Sequence, residues 1–287
     1  SYYYNTRTRN ARFFSPAYTP DFQPNFNYSS ILYGQDSVYA PKNFDPQTGF
    51  FLSDFDDPRN NYDGYIKTTA FYAMFDNKLG AKVRLVWGLR YERYRNILNG
   101  KNENAASYKV DLNRKDLLPS ANLIYSVLPK ANIRASFSKS VNRQLYRELA
   151  FQLFYDFLTN ITFSGNPSLQ PGYTYNYDVR WEQYFNNNQY YSVSGFYKKF
   201  QNPIETYIAI SGADSRTISA RNSAGATNYG IELEARKDFS FISKKLENLS
   251  FYTNVSLIKS KTTEYTDSKD STYRPLVGQS PYIIKSP

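Results

Sequence analysis

A period-two alternation of apolar and polar residues that keeps restarting constrains this chain more than any other feature. Val83, Leu85, Trp87, Leu89 and Tyr91 fall on one side of an extended chain, with Lys82, Arg84, Gly88, Arg90 and Glu92 on the other. The pattern returns at Ala131, Ile133, Ala135 and Phe137 against Asn132, Arg134, Ser136 and Ser138. It returns again at Tyr173, Tyr175, Tyr177, Val179 and Trp181 against Thr174, Asn176, Asp178, Arg180 and Glu182. Successive side chains of a strand point to opposite faces, so these are strands with one apolar and one strongly polar face. What remains to be decided is whether the apolar face meets a protein core or lipid.

The apolar residues available favour lipid. Among 287 residues there are 29 Tyr and 21 Phe against 1 Met and no Cys, and the mean hydropathy is −0.64. Bulky amphipathic rings therefore replace the aliphatic residues that usually fill interiors, and such rings suit a surface greasy on one side and wet at its end. The chain has no run of roughly 18 apolar residues, which excludes a membrane helix but not a membrane barrel, whose strands need only about 9–11 residues each. No signal peptide opens the chain. It begins in mid-pattern at Ser1-Tyr2-Tyr3-Tyr4 without an initiator Met, as an excised or processed piece would.

With no His and no Cys, disulfides, thiolate and imidazole metal sites and His-dependent acid–base chemistry are all absent, and with them most enzyme classes. No catalytic residue, cofactor or metal is expected. The formal charge of +10 is dispersed along strands and loops instead of forming one stripe, which argues for lumen and rim charges and against a nucleic-acid face.

Short and long connections alternate. Short turns fall at 77–81, 128–130 and 186–188, with a somewhat longer one at 238–248; long connections fall at 13–63, 95–115, 142–171 and 262–278. Small turns at one rim and large loops at the other describe a barrel wall. Between them lie about ten strands, at 2–12, 65–77, 82–94, 118–127, 131–141, 173–185, 190–210, 215–237, 249–261 and from 279 onward. The segments 190–210 and 215–237 overshoot a hydrocarbon slab about 25 Å tall, and Pro203 marks a bulge or bend, because proline cannot donate to a central ladder. The segment 142–158 has helical character and is expected to place a short helix in a loop. The segment 13–63, with Phe22, Phe26 and Tyr28 among Pro16, Pro20 and Pro24, is too regular for disorder and too rich in proline for helix.

Several local motifs then coincide. Residues 76–92 read Asp-Asn-Lys-Leu-Gly-Ala-Lys-Val-Arg-Leu-Val-Trp-Gly-Leu-Arg-Tyr-Glu, followed by Pro-Ser-Ala-Asn-Leu at 119–123, Arg-Ala-Ser-Phe-Ser-Lys-Ser-Val-Asn-Arg at 134–143 and Arg-Glu-Leu at 147–149. Gly-Asn-Pro-Ser-Leu-Gln-Pro at 165–171, Asn-Tyr-Gly-Ile-Glu-Leu-Glu at 228–234 and Gly-Gln-Ser-Pro-Tyr at 278–282 complete the set. In order and spacing they resemble the C-terminal half of the barrel of TonB-dependent outer-membrane receptors, particularly those of Bacteroidetes. One departure is Gln144, where that family usually has Pro. The resemblance implies an all-β, antiparallel transmembrane barrel segment of about ten strands within a wall of 22, with short periplasmic turns and long extracellular loops. It implies residence in the outer membrane of a Gram-negative bacterium and TonB-dependent nutrient uptake. It also implies that residues 1–287 are a partial barrel, without plug domain, TonB box or closing C-terminal strands. The implied partners are outer-membrane lipid, the plug and remaining barrel strands of the full-length chain, and the TonB complex acting through the plug. A surface lipoprotein is a further candidate, and nucleic acid is not a partner. Because an unpaired strand edge in lipid leaves backbone groups unsatisfied at several kcal/mol each, the two edges, near 2–12 and near Tyr282, are expected to pair with strands outside this chain or with missing residues.

The polar face supplies lumen or plug contacts as candidates: Arg84, Arg90, Glu92, Arg134, Asp178, Arg180, Glu182, Glu232, Glu234 and Arg236. The plainer alternative is a cross-strand ladder of ion pairs that braces a polar wall. Arg143, Tyr146, Arg147, Glu148, Phe154, Tyr155 and Asp156 lie in a long loop on the side from which ligand would arrive, and are candidates for ligand contact or for packing of the loop on its own aromatics. Asp54, Asp56, Asp57, Asn60, Asn61 and Asp63 lack the loop spacing of a calcium hand and suit the solvated start of a strand. The acceptor sequons at Asn27 and Asn160 carry little meaning in a bacterial outer membrane. Glu232 and Glu234 lie two apart on one strand face, as scattered lumen carboxylates would, and do not form a glycosidase pair. The competing class is a non-transport outer-membrane barrel or surface adhesin that binds glycan or protein through aromatic loops. A sandwich would bury Leu85, Trp87, Ile133 and Val179, whereas a barrel wall exposes them.

Overall fold

The computed structural model describes residues 1–9, 13–18, 41, 50–55, 57–156, 161–185, 189–210, 216–240, 242–246, 248–263 and 273–285. Its main element is one antiparallel sheet. In spatial order the sheet comprises β1 (Tyr2–Arg9), β4 (Tyr62–Leu79), β5 (Val83–Lys101), β6 (Ser107–Leu128), β7 (Ala131–Asn142), β10 (Gly172–Tyr184), β11 (Tyr190–Gln201), β14 (Gly225–Asp238) and β15 (Ser250–Thr263). β16 (Tyr273–Arg274) and β17 (Tyr282–Lys285) both pair with β15, at its two ends, so together they form one interrupted tenth stave. Each stave is the chain neighbour of the next or is separated from it only by an excursion, as in an up-and-down wall. Among the described residues β1 and the β16–β17 stave do not pair with each other, and the sheet stays open.

The alternation is realised in register. Phe75 opposes Trp87, Trp87 opposes Ala121, Tyr125 opposes Ile133, Ile133 opposes Trp181, Trp181 opposes Val193, and Val193 opposes Leu233. This outward face has no second layer. Trp87 is 43 %, Ile133 39 % and Val179 57 % exposed, with Leu85 half-buried, an outcome that a sandwich would not give. The short turn between β4 and β5 passes through Gly80 at φ 77°, a left-handed conformation that glycine adopts without strain. No helix among the described residues is long and apolar enough to cross a membrane.

On the rim opposite that turn the chain builds a second region. The expected long connection at 95–115 is instead the upper arms of β5 and β6, a ladder running to Lys101 opposite Ser107. The helical stretch at 142–158 shrinks to α1 (Tyr146–Leu149), and the chain then returns to extended structure in β8 (Leu153–Asp156) and β9 (Ile161–Ser164). The two overlong strands both break. β12 (Ile204–Ile210), which follows the break at Pro203, and β13 (Arg216–Asn222), which precedes the break at Ser223, lie off the wall and join β9 and β8 in a four-stranded sheet of order β12-β13-β9-β8. β2 (Phe13–Tyr18) and β3 (Phe50–Phe55) pair separately. Most of the rest of the expected 13–63 connection, at 19–40 and 42–49 and including Phe22, Phe26, Tyr28, Pro20 and Pro24, lies outside the described residues, as do Asp56, both sequon asparagines and the 186–188 turn.

The buried core sits in this second region. Tyr62, Leu98, Val110, Leu112, Tyr146, Leu149, Ala150, Leu169 and Ala220 form one cluster, with Ile66, Tyr108 and Ile204 against it. Leu98, Val110 and Leu112 occupy the same face of the sheet as Glu92 and Asp116, the polar face lower down. Along β5 and β6 the register does not slip, but the chemistry of the pleat inverts. In the lower wall the outward face is apolar, and in the cap the inward face is. The changeover is sharp: Phe71, Tyr91 and Leu117 form one outward row, and the next row up is Thr69, Arg93 and Lys115.

Candidate functional site

The inner face of the lower wall is occupied by a chain of charge-assisted bonds. Arg134 on β7 donates from Nε to Glu182 on β10 at 2.6 Å; Arg180 on β10 reaches Glu182 at 3.4 Å and Glu234 on β14 at 2.8 Å. Tyr190 and Tyr252 donate their hydroxyls to Glu234 at 2.6 and 2.9 Å, and Asn132 adds an amide to Glu182 at 3.3 Å. The network spans five neighbouring strands and places most of each partner's lone pairs, the condition under which a partly buried ion pair is not a liability. Ser136 donates to Asp178 at 3.2 Å and Arg84 pairs with Asp76 at 2.6 Å. Glu232 stands between Ser194 and Ser256 in register, and Arg236 between Tyr190 and Tyr252.

A second knot lies where wall meets cap. Pairing of β6 with β7 stops at Ser120 opposite Ser138, while β5–β6 and β7–β10 continue upward, so a seam opens between β6 and β7. Arg143, the first residue after β7, crosses it. Its Nη2 lies 2.6 Å from Glu92 and 2.9 Å from Asp116, and its guanidinium sits 4.1 Å over the Tyr94 ring. Tyr173, assigned to the outward face by the alternation, instead donates its hydroxyl to the other oxygen of Asp116 at 2.7 Å from the far side of the seam. Arg90 completes the cluster at 2.6 Å from Glu92. Six charged and aromatic groups thus close a gap that no backbone ladder closes.

Above the knot the loop folds inward over the wall. Glu148 accepts the Leu145 amide at 2.8 Å and starts α1; Tyr146 donates to the Asn5 carbonyl at 3.2 Å; and Gln144, buried, donates to the Leu169 carbonyl at 2.9 Å. Burial pushes the Tyr146 phenol up to about 12. Gly165 passes so close to α1 that a Cβ there would collide with the Ala150 carbonyl and lie 2.8 Å from that of Arg147. At the start of β4, Asp57 caps a short 3-10 turn and binds Arg59 through both carboxylate oxygens, which holds its carboxyl below the usual range.

Between β1 and this loop lies a cleft of about 460 Å³ lined by Arg7, Arg9, Tyr62, Tyr146, Arg147, Phe154 and neighbouring side chains, with no carboxylate in its lining. Arg147 is stacked 4.8 Å over Phe163, and Arg9 donates to Gln152. No described carboxylate pairs with Arg7, Arg9 or Arg147. The arrangement of three cations among aromatic rings suits an anionic, partly apolar ligand.

Of the loop residues singled out from sequence, Tyr146, Arg147 and Phe154 therefore meet in one cleft. Arg143 and Glu148 are engaged in building the loop, Asp156 lies on β8, and the Tyr155 side chain falls outside the described residues. Arg7 and Arg9 had escaped notice. Their alternation with Thr6 and Thr8 in a Tyr-rich strand signals a polar face, but only the pairing of β1 with β4 brings that face to the mouth.

The sequence matches the family described as TonB dependent receptor-like, beta-barrel over residues 1–284. No characterised protein matches it in a sequence comparison. Among solved structures, a double mutant of the Serratia marcescens hemophore receptor HasR, in complex with its hemophore HasA and heme, is similar at 14 % identity and a TM-score of 0.52, covering 76 % of this chain and 37 % of that one. The siderophore receptor PiuA of Acinetobacter baumannii is similar at 14 % identity and a TM-score of 0.51, covering 80 % of this chain and 30 % of that one. The chain thus spans well under half of each of these receptors, and at such identities the likeness is one of fold.

Proposed function

This chain belongs to the TonB-dependent receptor-like β-barrel family, and on that premise we propose that it forms part of the wall, mouth and ligand cleft of an outer-membrane receptor that takes up an anionic nutrient. The wall stands in the outer membrane of a Gram-negative bacterium, with its short turns periplasmic and its long excursions extracellular. The observation that carries the reading is the mouth cleft: Arg7, Arg9 and Arg147 among Tyr62, Tyr146 and Phe154, with no acidic residue in the lining. Uncompensated guanidinium groups in a concave aromatic site attract and orient carboxylate, phosphate or catecholate-like oxygens.

Support for the remaining parts comes from the wall itself. Its two edges, unpaired among the described residues, would leave backbone groups unsatisfied in lipid, which supports further strands completing the barrel. The polar inner face with its Arg134–Glu182–Arg180–Glu234 chain would face a plug, through which the TonB complex supplies energy. The role is binding and passage, without covalent chemistry.

The test is uptake by cells expressing the full-length receptor, with labelled ferric chelates, oligosaccharides, peptides and vitamins supplied in turn. An anionic member of that panel is taken up only when TonB is present, and replacing Arg7, Arg9 and Arg147 together by Gln lowers its uptake at least about tenfold, one decade per 1.4 kcal/mol of lost binding. Uptake that ignores the loss of TonB, or a strictly neutral cargo indifferent to the three arginines, would overturn the proposal.

A further inference from the structure

On the outer face, at the extracellular border of the apolar band, lies a feature that neither the ion chain nor the mouth cleft uses. Lys139, Tyr175, Lys199, Thr227 and Lys261 form one row across five strands in register. The row beneath is Phe137, Tyr177, Tyr197, Tyr229 and Lys259. Neighbouring strands stand about 4.8 Å apart, which puts the Cα atoms of Lys139 and Lys199 roughly 10 Å apart on either side of Tyr175. No described carboxylate pairs with Lys139, Lys199 or Lys259; Lys139 instead lies between two rings, 4.8 Å from the Tyr173 centroid and 5.7 Å from that of Tyr175.

Two clefts meet along these rows. The upper, about 740 Å³, is lined by Tyr175, Tyr177, Lys199, Thr227 and Lys261. The lower, about 800 Å³, is lined by Tyr177, Val179, Gly195, Ile231 and Leu257 and has Lys259 at its border. Gly195 makes the lower one. It opposes Val179 and Ile231 in register, and a Cβ built there would meet no atom within 4 Å. Its neighbours in that row, Ala135, Val179, Ile231 and Leu257, are all apolar side chains, so the glycine leaves a notch in a surface that is filled on both sides.

We infer that this paired cleft binds a phosphorylated multi-acyl lipid of the outer leaflet, its phosphates between the ammonium groups of Lys139 and Lys199 and an acyl chain in the Gly195 notch. Lysines that merely snorkel from the band to water would need no notch beneath them. A neutral lipid would need no cationic row above its chain. Charge and shape together select an amphiphile with an anionic head, and the level of the row places it in the extracellular leaflet.

The experiment uses the full-length receptor purified from outer membranes in mild detergent. It is titrated with a diphosphorylated multi-acyl glucosamine disaccharide, with the same lipid after dephosphorylation, and with sodium phosphate, and bound lipid is counted by native mass spectrometry. The phosphorylated lipid binds at least about tenfold more tightly than its dephosphorylated form. Joint replacement of Lys139 and Lys199 by Gln weakens it roughly 25-fold, about fivefold per lysine at an anionic surface, and replacement by Arg keeps it. Gly195→Leu weakens binding with all charges intact, and Gly195→Ala does so less; heat-modifiable migration on gels confirms that each variant remains a barrel. Equal binding of the two lipids, full competition by sodium phosphate, unchanged binding by the Gly195→Leu variant, or occupation of the face by a second receptor that lipid does not displace would each overturn the assignment.

Discussion

The lower wall and the extracellular cap are made from the same strands but solve opposite solvent problems. In the wall, Trp87, Ile133 and Val179 point outward and stay exposed, while Glu182 and Glu234 point inward and are bonded. In the cap, Leu98, Val110 and Leu112 point inward into a core, while Arg93, Arg95 and Lys109 point out to water. The wall has no protein core because lipid covers its apolar face. The cap has water on its outer side and must bury its apolar face against something, which is why α1 and the 143–171 loop fold onto it. One pleated ribbon therefore holds two folding units with different driving forces: backbone satisfaction in lipid below, and burial of apolar area from water above.

Removing the side chain that joins the two units has the largest expected effect. Arg143→Met leaves Asp116 without its cation and Glu92 with Arg90 alone across the open seam, and is expected to destabilise the junction by about 3–5 kcal/mol. Hydrogen exchange should rise across 143–171 with the lower strands unchanged; equal loosening of both regions would show that they are one unit. Next, Leu98→Ala or Leu149→Ala should lower cap stability by about 2–5 kcal/mol through cavity formation, read as local unfolding at lower denaturant. Leu89→Ala, on the lipid face, should leave the cap's exchange protection unaltered. Third, Val179→Arg should weaken barrel assembly in membranes by about 2–4 kcal/mol, whereas Asn99→Arg, on the same face but above the border, should stay within about 0.5 kcal/mol. Similar penalties at the two sites, measured by urea titration in lipid vesicles, would remove the border. The smallest effect follows pH. The Tyr146 phenol is raised to about 12 in the folded cap, above its unfolded value of about 10. Its contribution is whole below pH 10 and is lost as pH rises toward 12, so alkali should release the loop before it disturbs the wall, as tyrosinate absorbance and exchange would show.

Most of the wall was legible because alternation is a local property. Val83 to Tyr91 and Ala131 to Phe137 carry it over enough residues to fix strand, face and pairing partner. The upper arms were not legible. At Ile97 and Leu98 both faces become buried, so two adjacent apolar residues break the period, and the stretch resembles a loop although its ladder continues to Lys101. Pro203 correctly indicated a break, but nothing local shows that β12 leaves the wall for another sheet. The short helix expected after Asn142 is present as α1, but it stops after one turn because Leu149, Ala150 and Leu169 are arranged around the core of the cap and not around a helical stripe. The mouth cleft draws Arg7 and Arg147 from 140 positions apart in the chain, a juxtaposition that only topology creates.

The row change from Phe71, Tyr91 and Leu117 to Thr69, Arg93 and Lys115 also acts as a depth gauge. A barrel that sank by a single pleat repeat would drag three cationic or hydroxylated side chains into hydrocarbon. One that rose by the same step would lift two large rings and a leucine into water. Strand pairing is indifferent to such vertical travel, since every ladder bond moves with the body. It is therefore this pair of rows, and not the sheet's hydrogen bonds, that holds the mouth of the receptor at a constant height above the cell surface.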